Sequence, residues 1–451
     1  MHFSFPPSVQ AGAEREQSAE VESARSARKA RRAGKDGETT SSQRGHKRRR
    51  SQIAAAMGVA VFAISAAWAA GVDTNPLNYD PEVREAYQHF YNLDYTGAVA
   101  RFERFHEEHP GDPQATGYLL NAEIFQELYR QDLLDTTFYA NDGFLTGKHA
   151  TEEDPQTRER ILALADEAVR EANARLSRNP NDKDALFARG WVRSLECTYV
   201  AMVERGFGAG FRLATKAKDD EERVLAMDPQ YVDAKLVTGV YEYVVGALPF
   251  PFKLLIGFAG ITGSKSKGLE MLRQAGEHGV ITSVEARTSI ALFLRREGRY
   301  KEAIEVIRSL EAEYPRDFLF CLEEANLRKD AGEGMAAVDA YRQLLALNAR
   351  PGYFAEAKLE LVEFGLGEAL RGQRHYAEAA EAYEKAAAAA GVGPELKIRS
   401  LLAAGECRDL NNERPAAVKD YQAAINAGPE TSRAETARKR VKTPYKPGTR
   451  D

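Results

Sequence analysis

The strongest constraint in this sequence is a spacing rule that Val284–Pro429 obeys four times. A small residue is followed twelve positions on by Ala, four further by a bulky apolar residue, three further by an apolar one, and five further by a chain-breaking or small one. Ala291, Ala303, Ile307, Leu310 and Pro315 make one copy; Ala325, Ala337, Tyr341, Leu344 and Ala349 the next. Gly367, Ala379, Tyr383, Ala386 and Gly391 follow, then Gly405, Ala417, Tyr421, Ala424 and Pro429. A fifth copy, Ala86, Ala98, Phe102, Phe105 and Pro110, lies far upstream.

Steps of three and four are helical steps, so each copy predicts two antiparallel helices within about 34 residues. Two helices approach closely only where side chains are small, which explains the Gly or Ala facing the Ala. The bulky residue one turn later fills the space against the next copy. Proline lacks a backbone N–H and disfavours helix in the residue before it, so it ends the second helix. No unit can bury its apolar face alone; stacking completes the core. The expected fold is an all-α helix–turn–helix solenoid of about eight helix pairs, the second, third and fourth carrying insertions.

The chain has 451 residues, a length that ordinarily implies several globular domains. A solenoid escapes that count because its core grows along one axis. The whole chain holds 62 Lys/Arg and 67 Asp/Glu; residues 1–70 take 12 and 6 of them, leaving 50 against 61, a net of −11. So acidic a body argues against a nucleic-acid binder, which needs a basic stripe to displace counterions. Cys197, Cys321 and Cys407 each fall on a first helix of a different unit. With no CxxC and no zinc spacing they read as small buried apolar residues.

Residues 1–45 are rich in Ser, Ala, Arg, Glu and Gly without apolar period, and predict disorder. Residues 46–70 read as an export signal: the basic run Lys47–Arg50, the uncharged stretch Ile53–Ala70, and Ala67-Trp68-Ala69 as a cleavage site, with cleavage at about Ala69 or Ala70. The alternative for this segment is an uncleaved N-terminal membrane anchor, since its length just spans a bilayer. Residues 71–79 are expected to be a linker, 80–431 the solenoid, and 432–451 a basic tail with a short capping helix. Register breaks mark insertions at 131–156, 200–215 and 246–260. The last, Gly246–Gly260, is apolar and glycine-rich, with Pro249 and Pro251 forbidding a straight helix. Two copies depart from the rule: Arg175 and Glu221 stand where apolar residues belong.

The repeat block resembles the tetratricopeptide repeat family over most of residues 80–431. That resemblance implies a right-handed superhelix whose concave face binds peptides or partner proteins. One groove type in the family clamps a C-terminal carboxylate with Lys, Asn and Arg on first helices. Asn326, Lys329 and Arg295 face roughly that way, but Leu319, Leu322 and Phe364 occupy the neighbouring positions, so the clamp is incomplete. A narrower stretch resembles the tetratricopeptide-39 and inclusion-body-clearance group, membrane- or lipid-droplet-associated adaptors. It comprises Leu248-Pro249, Leu254–Gly260 and Lys267–Leu269, then Tyr314-Pro315 and Phe318–Phe320, and spans only about 75 residues.

Catalytic motifs do not survive inspection. His106-Glu107-Glu108-His109 lacks the spacing of a zinc protease and suits a helix C-terminus instead. Gly143–Lys148 and Gly257–Ser266 each miss the phosphate-loop pattern, and no parallel-sheet pattern surrounds them. No cofactor and no metal are expected. The reading is a non-catalytic exported adaptor, periplasmic or extracellular and bacterial by the form of its signal. It would hold a protein or peptide in envelope or secretion-related assembly. Candidate groove residues are Glu285, Thr288, Leu292, Arg295, Leu322, Asn326, Lys329, Phe364 and Arg371, with Phe250, Phe252 and Phe258 on the apolar insertion. One alternative is a peripheral membrane or lipid-associated protein working through that insertion, with Lys253 at an interfacial position. Another is an enzyme subunit with a site in the insertions at 131–156 and 200–215.

Overall fold

The computed structural model describes residues 73–140, 154–248 and 262–447. Asp–Pro pairs open three of its helices. Asp80, Asp112 and Asp154 accept hydrogen bonds from the backbone N–H two residues on, while Pro81, Pro113 and Pro155 sit at the first helical position, where no N–H is needed. The helices, in order, are α1 (Pro81–Phe90), α2 (Tyr95–Glu108), α3 (Pro113–Arg130), α4 (Pro155–Arg178), α5 (Lys183–Met202) and α6 (Phe207–Met227). Then come α7 (Lys235–Ala247), α8 (Lys265–His278), α9 (Ser283–Arg296), α10 (Tyr300–Glu313), α11 (Phe318–Asp330) and α12 (Met335–Asn348). The last are α13 (Leu359–Gly372), α14 (Tyr376–Ala388), α15 (Pro394–Leu410), α16 (Arg414–Ala427) and α17 (Ser432–Lys442). They form eight consecutive pairs and a closing helix. Among the described residues the sole extended pairing is an isolated parallel bridge between Asp73 and Tyr231.

The spacing rule maps onto the core as expected, with one refinement. Ala98, Ala303, Ala337, Ala379 and Ala417 are all buried, as are Phe102, Ile307, Tyr341, Tyr383 and Tyr421 one turn later. The glycine of the first helix makes room chiefly for that aromatic ring, more than for the alanine. A Cβ on Gly367 would lie 2.8 Å from the Tyr383 ring, and one on Gly405 2.6 Å from the Tyr421 ring. Tyr341 does the same across a junction, abutting Gly365 of the next pair.

The turns within pairs need a left-handed residue. Gly298 (φ 72°) and Gly332 (φ 73°) supply it in two pairs; Leu93, Arg205, Arg374 and Asn412 adopt positive φ in four others. Arg205 belongs to the expected insertion at 200–215, which turns out to be mostly helix. Extra turns of α5 and α6 absorb it, and Phe207–Phe211 opens α6.

One departure from the expected boundaries changes the molecule. Residues 73–79 were expected to link. They instead pack against the solenoid, with Thr74, Asn75 and Asn78 buried, Pro76 and Tyr79 exposed, and Pro76–Tyr79 forming one short 3-10 turn. The expected capping helix is present as α17, and the residues after it pack as well. Ala437 joins Ile398, Ala417, Tyr421 and Ala424 in a small terminal core, with Val441 against it, and the Tyr445 N–H donates to Asp409 at 2.7 Å. Phe250, Phe252, Phe258 and Lys253, and the glycine-rich stretch Gly143–Lys148, lie outside the described residues.

Candidate functional site: a concave face occupied by its own chain

The candidate groove residues sit on α9, α11 and α13, and the chain's own N-terminal third meets most of them. Tyr91, in the turn after α1, donates to Glu285 at 2.7 Å. Its ring also packs 5.0 Å from that of Tyr314. The segment after α3 continues the contact. Thr136 donates to Glu323, the Arg295 guanidinium donates to Thr136 at 2.7 Å, and Arg296 reaches the Tyr139 carbonyl at 2.8 Å. Further along, Lys358 pairs with Asp132 and lies 5.0 Å from the Tyr129 ring. The first pair is thereby seated against the fifth, and α3 with the segment after it against the fifth to seventh.

Arg295 is almost fully buried between Glu323 and Asp330. A guanidinium so placed faces no partner; it neutralises two carboxylates that burial would otherwise penalise. Burial pushes the Glu323 carboxyl up to about 7 despite Arg295, and Asp317 and Glu285 are raised to about 7 by the same cause. Asn326 is also spoken for, accepting from Tyr341 at 2.6 Å and donating to Asp135 at 3.4 Å. Leu322 is buried, Leu292 half-buried against the core, and Thr288 donates to the Val284 carbonyl at 2.9 Å.

A second occupation lies at the third and fourth pairs. Asp233, fully buried just before α7, is the hub. Its Oδ2 accepts from Thr74 and, at 3.4 Å, from Asn78; its Oδ1 accepts from the N–H groups of Val280 and Ile281 and from Thr282 at 2.7 Å. Asn78 accepts in turn from Tyr118 and Gln114 of α3. Lys183 of α5 holds Asp73 and, at 2.8 Å, Asp228; a hydrogen bond with Asp73, then that with Lys183, lower Asp228 to about 2. The segment 73–79 thus acts as a strap joining α3, α5 and the junction between α8 and α9. The only sequence signal for it was the run of hydrogen-bonding side chains Asp73, Thr74, Asn75 and Asn78, which linkers share.

The remaining candidates lie on the last three pairs and keep part of their surface. Lys329 pairs with Glu368 at 2.8 Å and Arg371 with Glu406 at 2.7 Å, forming a ladder of opposite charges along α11, α13 and α15. Phe364 packs on Tyr383, with the Arg399 guanidinium 4.6 Å from its ring. Tyr445 lies 5.3 Å from Arg371, so the tail reaches the end of this face.

Between the first pair and α9–α11 an apolar cavity of roughly 200 Å³ remains, lined by Phe90, Phe125, Leu134, Ile307, Leu319 and Leu322 among others. Burial raises the Cys321 and Cys407 thiols to about 12 and Cys197 to about 11, so none is a ready nucleophile at neutral pH. His109 caps the end of α2, its Nδ1 2.8 Å from the Phe105 carbonyl. No group of three or more His, Cys, Asp or Glu among the described residues could hold a metal, and no described helix is long and apolar enough to cross a membrane.

Paired antiparallel helices, a repeated small–Ala–aromatic register and continuous stacking define a tetratricopeptide-type solenoid. No protein-family model and no curated protein sequence matches the chain. Among solved structures, it aligns with that of the Cut9–Hcn1 hetero-tetramer at 14% identity and TM-score 0.43, over 85% of this chain and 59% of that one. PilW, a type IV pilus biogenesis factor, aligns at 17% identity and TM-score 0.37, over 55% of this chain and 97% of that one. A tetratricopeptide repeat protein from Parabacteroides merdae aligns at 16% and 0.32, over 72% and 99%.

Proposed function

We propose that the protein is a non-catalytic, exported scaffold that holds a partner protein or peptide in a bacterial envelope. The partner would lie against the C-terminal part of the concave face. The observation that carries this reading is the asymmetry of that face. On α9 and α11, Glu285, Arg295 and Asn326 are already engaged by Tyr91, Thr136 and Asp135. The ladder on α11, α13 and α15 still shows surface: Arg371 keeps 28% of its side-chain area and Glu368 39%. An aromatic anchor, Phe364, stands beside these charges, the combination that concentrates binding energy at protein interfaces. Export rests on the composition of residues 46–70: a basic run, an uncharged apolar stretch and Ala67-Trp68-Ala69.

Crosslinked capture from an envelope fraction, with residues 71–451 as bait, tests the reading. Phe364→Ala combined with Arg371→Ala should lose the captured partner, while Arg342→Ala on exposed α12 should retain it. Equal capture by both variants would remove the concave face from the proposal. N-terminal sequencing of the secreted protein tests the cleavage.

A further inference from the structure

The chain beyond α17 reaches further than a closing helix requires. Such a helix has only to cover the apolar edge of the eighth pair, and Ala437 and Val441 do that against Ile398, Tyr421 and Ala424. Tyr445 stands outside this core and extends past the eighth pair to the seventh. The guanidinium groups of Arg371 on α13 and Arg440 on α17 lie over its ring, at 5.3 and 4.7 Å from the centroid. The main chain is held as well, the Tyr445 N–H donating to Asp409 Oδ2 at 2.7 Å. The Asp409 side chain is fully buried, oriented by the Arg414 guanidinium at 3.0 Å and the Tyr421 hydroxyl at 2.9 Å. Arg414 also donates to the Arg440 and Val441 carbonyls at 2.7 Å, which fixes the end of α17. Arg371 is paired with Glu406 of α15. The receiving groups are therefore positioned by the helices and not by the segment they receive.

The segment itself is held lightly. Thr443, Pro444, Lys446 and Pro447 are exposed, and Tyr445 is half-buried. Pro444 and Pro447 restrict their own φ and keep the preceding residues extended, so little freedom is lost when such a segment docks. A main-chain hydrogen bond joined to a side-chain pocket is a general way of recognising an extended peptide. We propose that the seventh and eighth pairs form a site for an extended peptide carrying an aromatic residue among prolines, and that residues 443–447 fill it in cis until a partner with such a segment displaces them. Because Arg371 serves both, the partner's chemistry here rests on the scaffold reading above. A tethered segment competes at an effective concentration of about millimolar, so it screens out weak partners.

Binding of a labelled peptide spanning residues 443–451 to the full chain, followed by fluorescence anisotropy, tests this. The Tyr445→Ala chain should bind it about tenfold more tightly than the unaltered chain, whose own segment competes. Tyr445→Phe keeps the ring and should behave like the unaltered chain. Adding Arg371→Ala to Tyr445→Ala should remove the binding, and a peptide with alanine at the tyrosine position should bind none of the chains. A peptide that binds no chain, binds the Tyr445→Ala and unaltered chains equally, or binds as well without its ring overturns the proposal. Those outcomes leave the scaffold reading standing wherever Phe364→Ala with Arg371→Ala still loses the envelope partner. Capture unaffected by those two changes, with peptide binding intact, would instead remove the envelope partner from this site.

Discussion

Glu221 is the residue at which the spacing rule fails most sharply. It occupies the slot that Tyr341, Tyr383 and Tyr421 fill, opposite Gly190, and is fully buried with neither carboxylate oxygen hydrogen-bonded. Desolvation raises its carboxyl well above the usual range, reinforced by Asp220 and Asp233. A carboxyl whose folded value is raised holds its proton longer in the native state. Stability therefore declines as pH rises from the unfolded value toward the folded one. Glu221→Leu should accordingly raise the melting temperature, by the equivalent of about 1–3 kcal/mol at pH 8, and by less at pH 5. Equal gains at both values would show that the carboxyl ionises freely in the fold. Arg295 predicts the opposite sign. Removing it as Arg295→Met leaves Glu323 buried without its counter-charge and should cost about 3–5 kcal/mol at neutral pH, read by chemical denaturation.

At the scale of elements, the turns between paired helices explain why sequence and structure agree so closely over the last four pairs. Glycine sits at the left-handed position in two of them, and Arg374 and Asn412 hold the same conformation in the others. A side chain there crowds its own backbone. Arg374→Gly should therefore stabilise the seventh pair by about 0.5–1 kcal/mol, seen as a modest rise in melting temperature. The Arg374 side chain donates no hydrogen bond that would offset the gain, and its backbone N–H bond to the Arg371 carbonyl survives the substitution. The same register could not foresee the strap, because residues 73–79 carry no period at all. Their place is set by Asp233, a single buried carboxylate with five donors. Asp233→Ala should cost about 3 kcal/mol or more, leaving the Thr74 and Thr282 hydroxyls and two backbone N–H groups without their acceptor, while Asn78 still donates to Thr74. Hydrogen exchange should then rise first at the α8–α9 junction.

Across the whole molecule, a solenoid ordinarily touches only its neighbours. This one also touches itself at long range, through Tyr91 on Glu285, Thr136 on Glu323 and Lys358 on Asp132. Such contacts make unfolding more cooperative than a repeat array would be. Tyr91→Ala with Lys358→Ala should split the denaturation curve into two transitions, the first two pairs releasing before the fifth to eighth. A single transition in that variant would show that stacking alone carries the cooperativity.

The sequence by itself determined the units. Helical spacing, small residues at the crossings, aromatic residues one turn later and proline or glycine stops are local features, and the eight pairs follow from them. It also placed Lys329, Phe364 and Arg371 on a face that keeps some of its surface. Tertiary structure alone decided what that face meets. Glu285, Arg295 and Asn326 read as groove residues because each lies on a first helix, yet their partners Tyr91, Thr136 and Asp135 come from about 160 to 200 positions away. Superhelical curvature sums small rotations over many units, and no local spacing records where that sum brings the chain back onto itself.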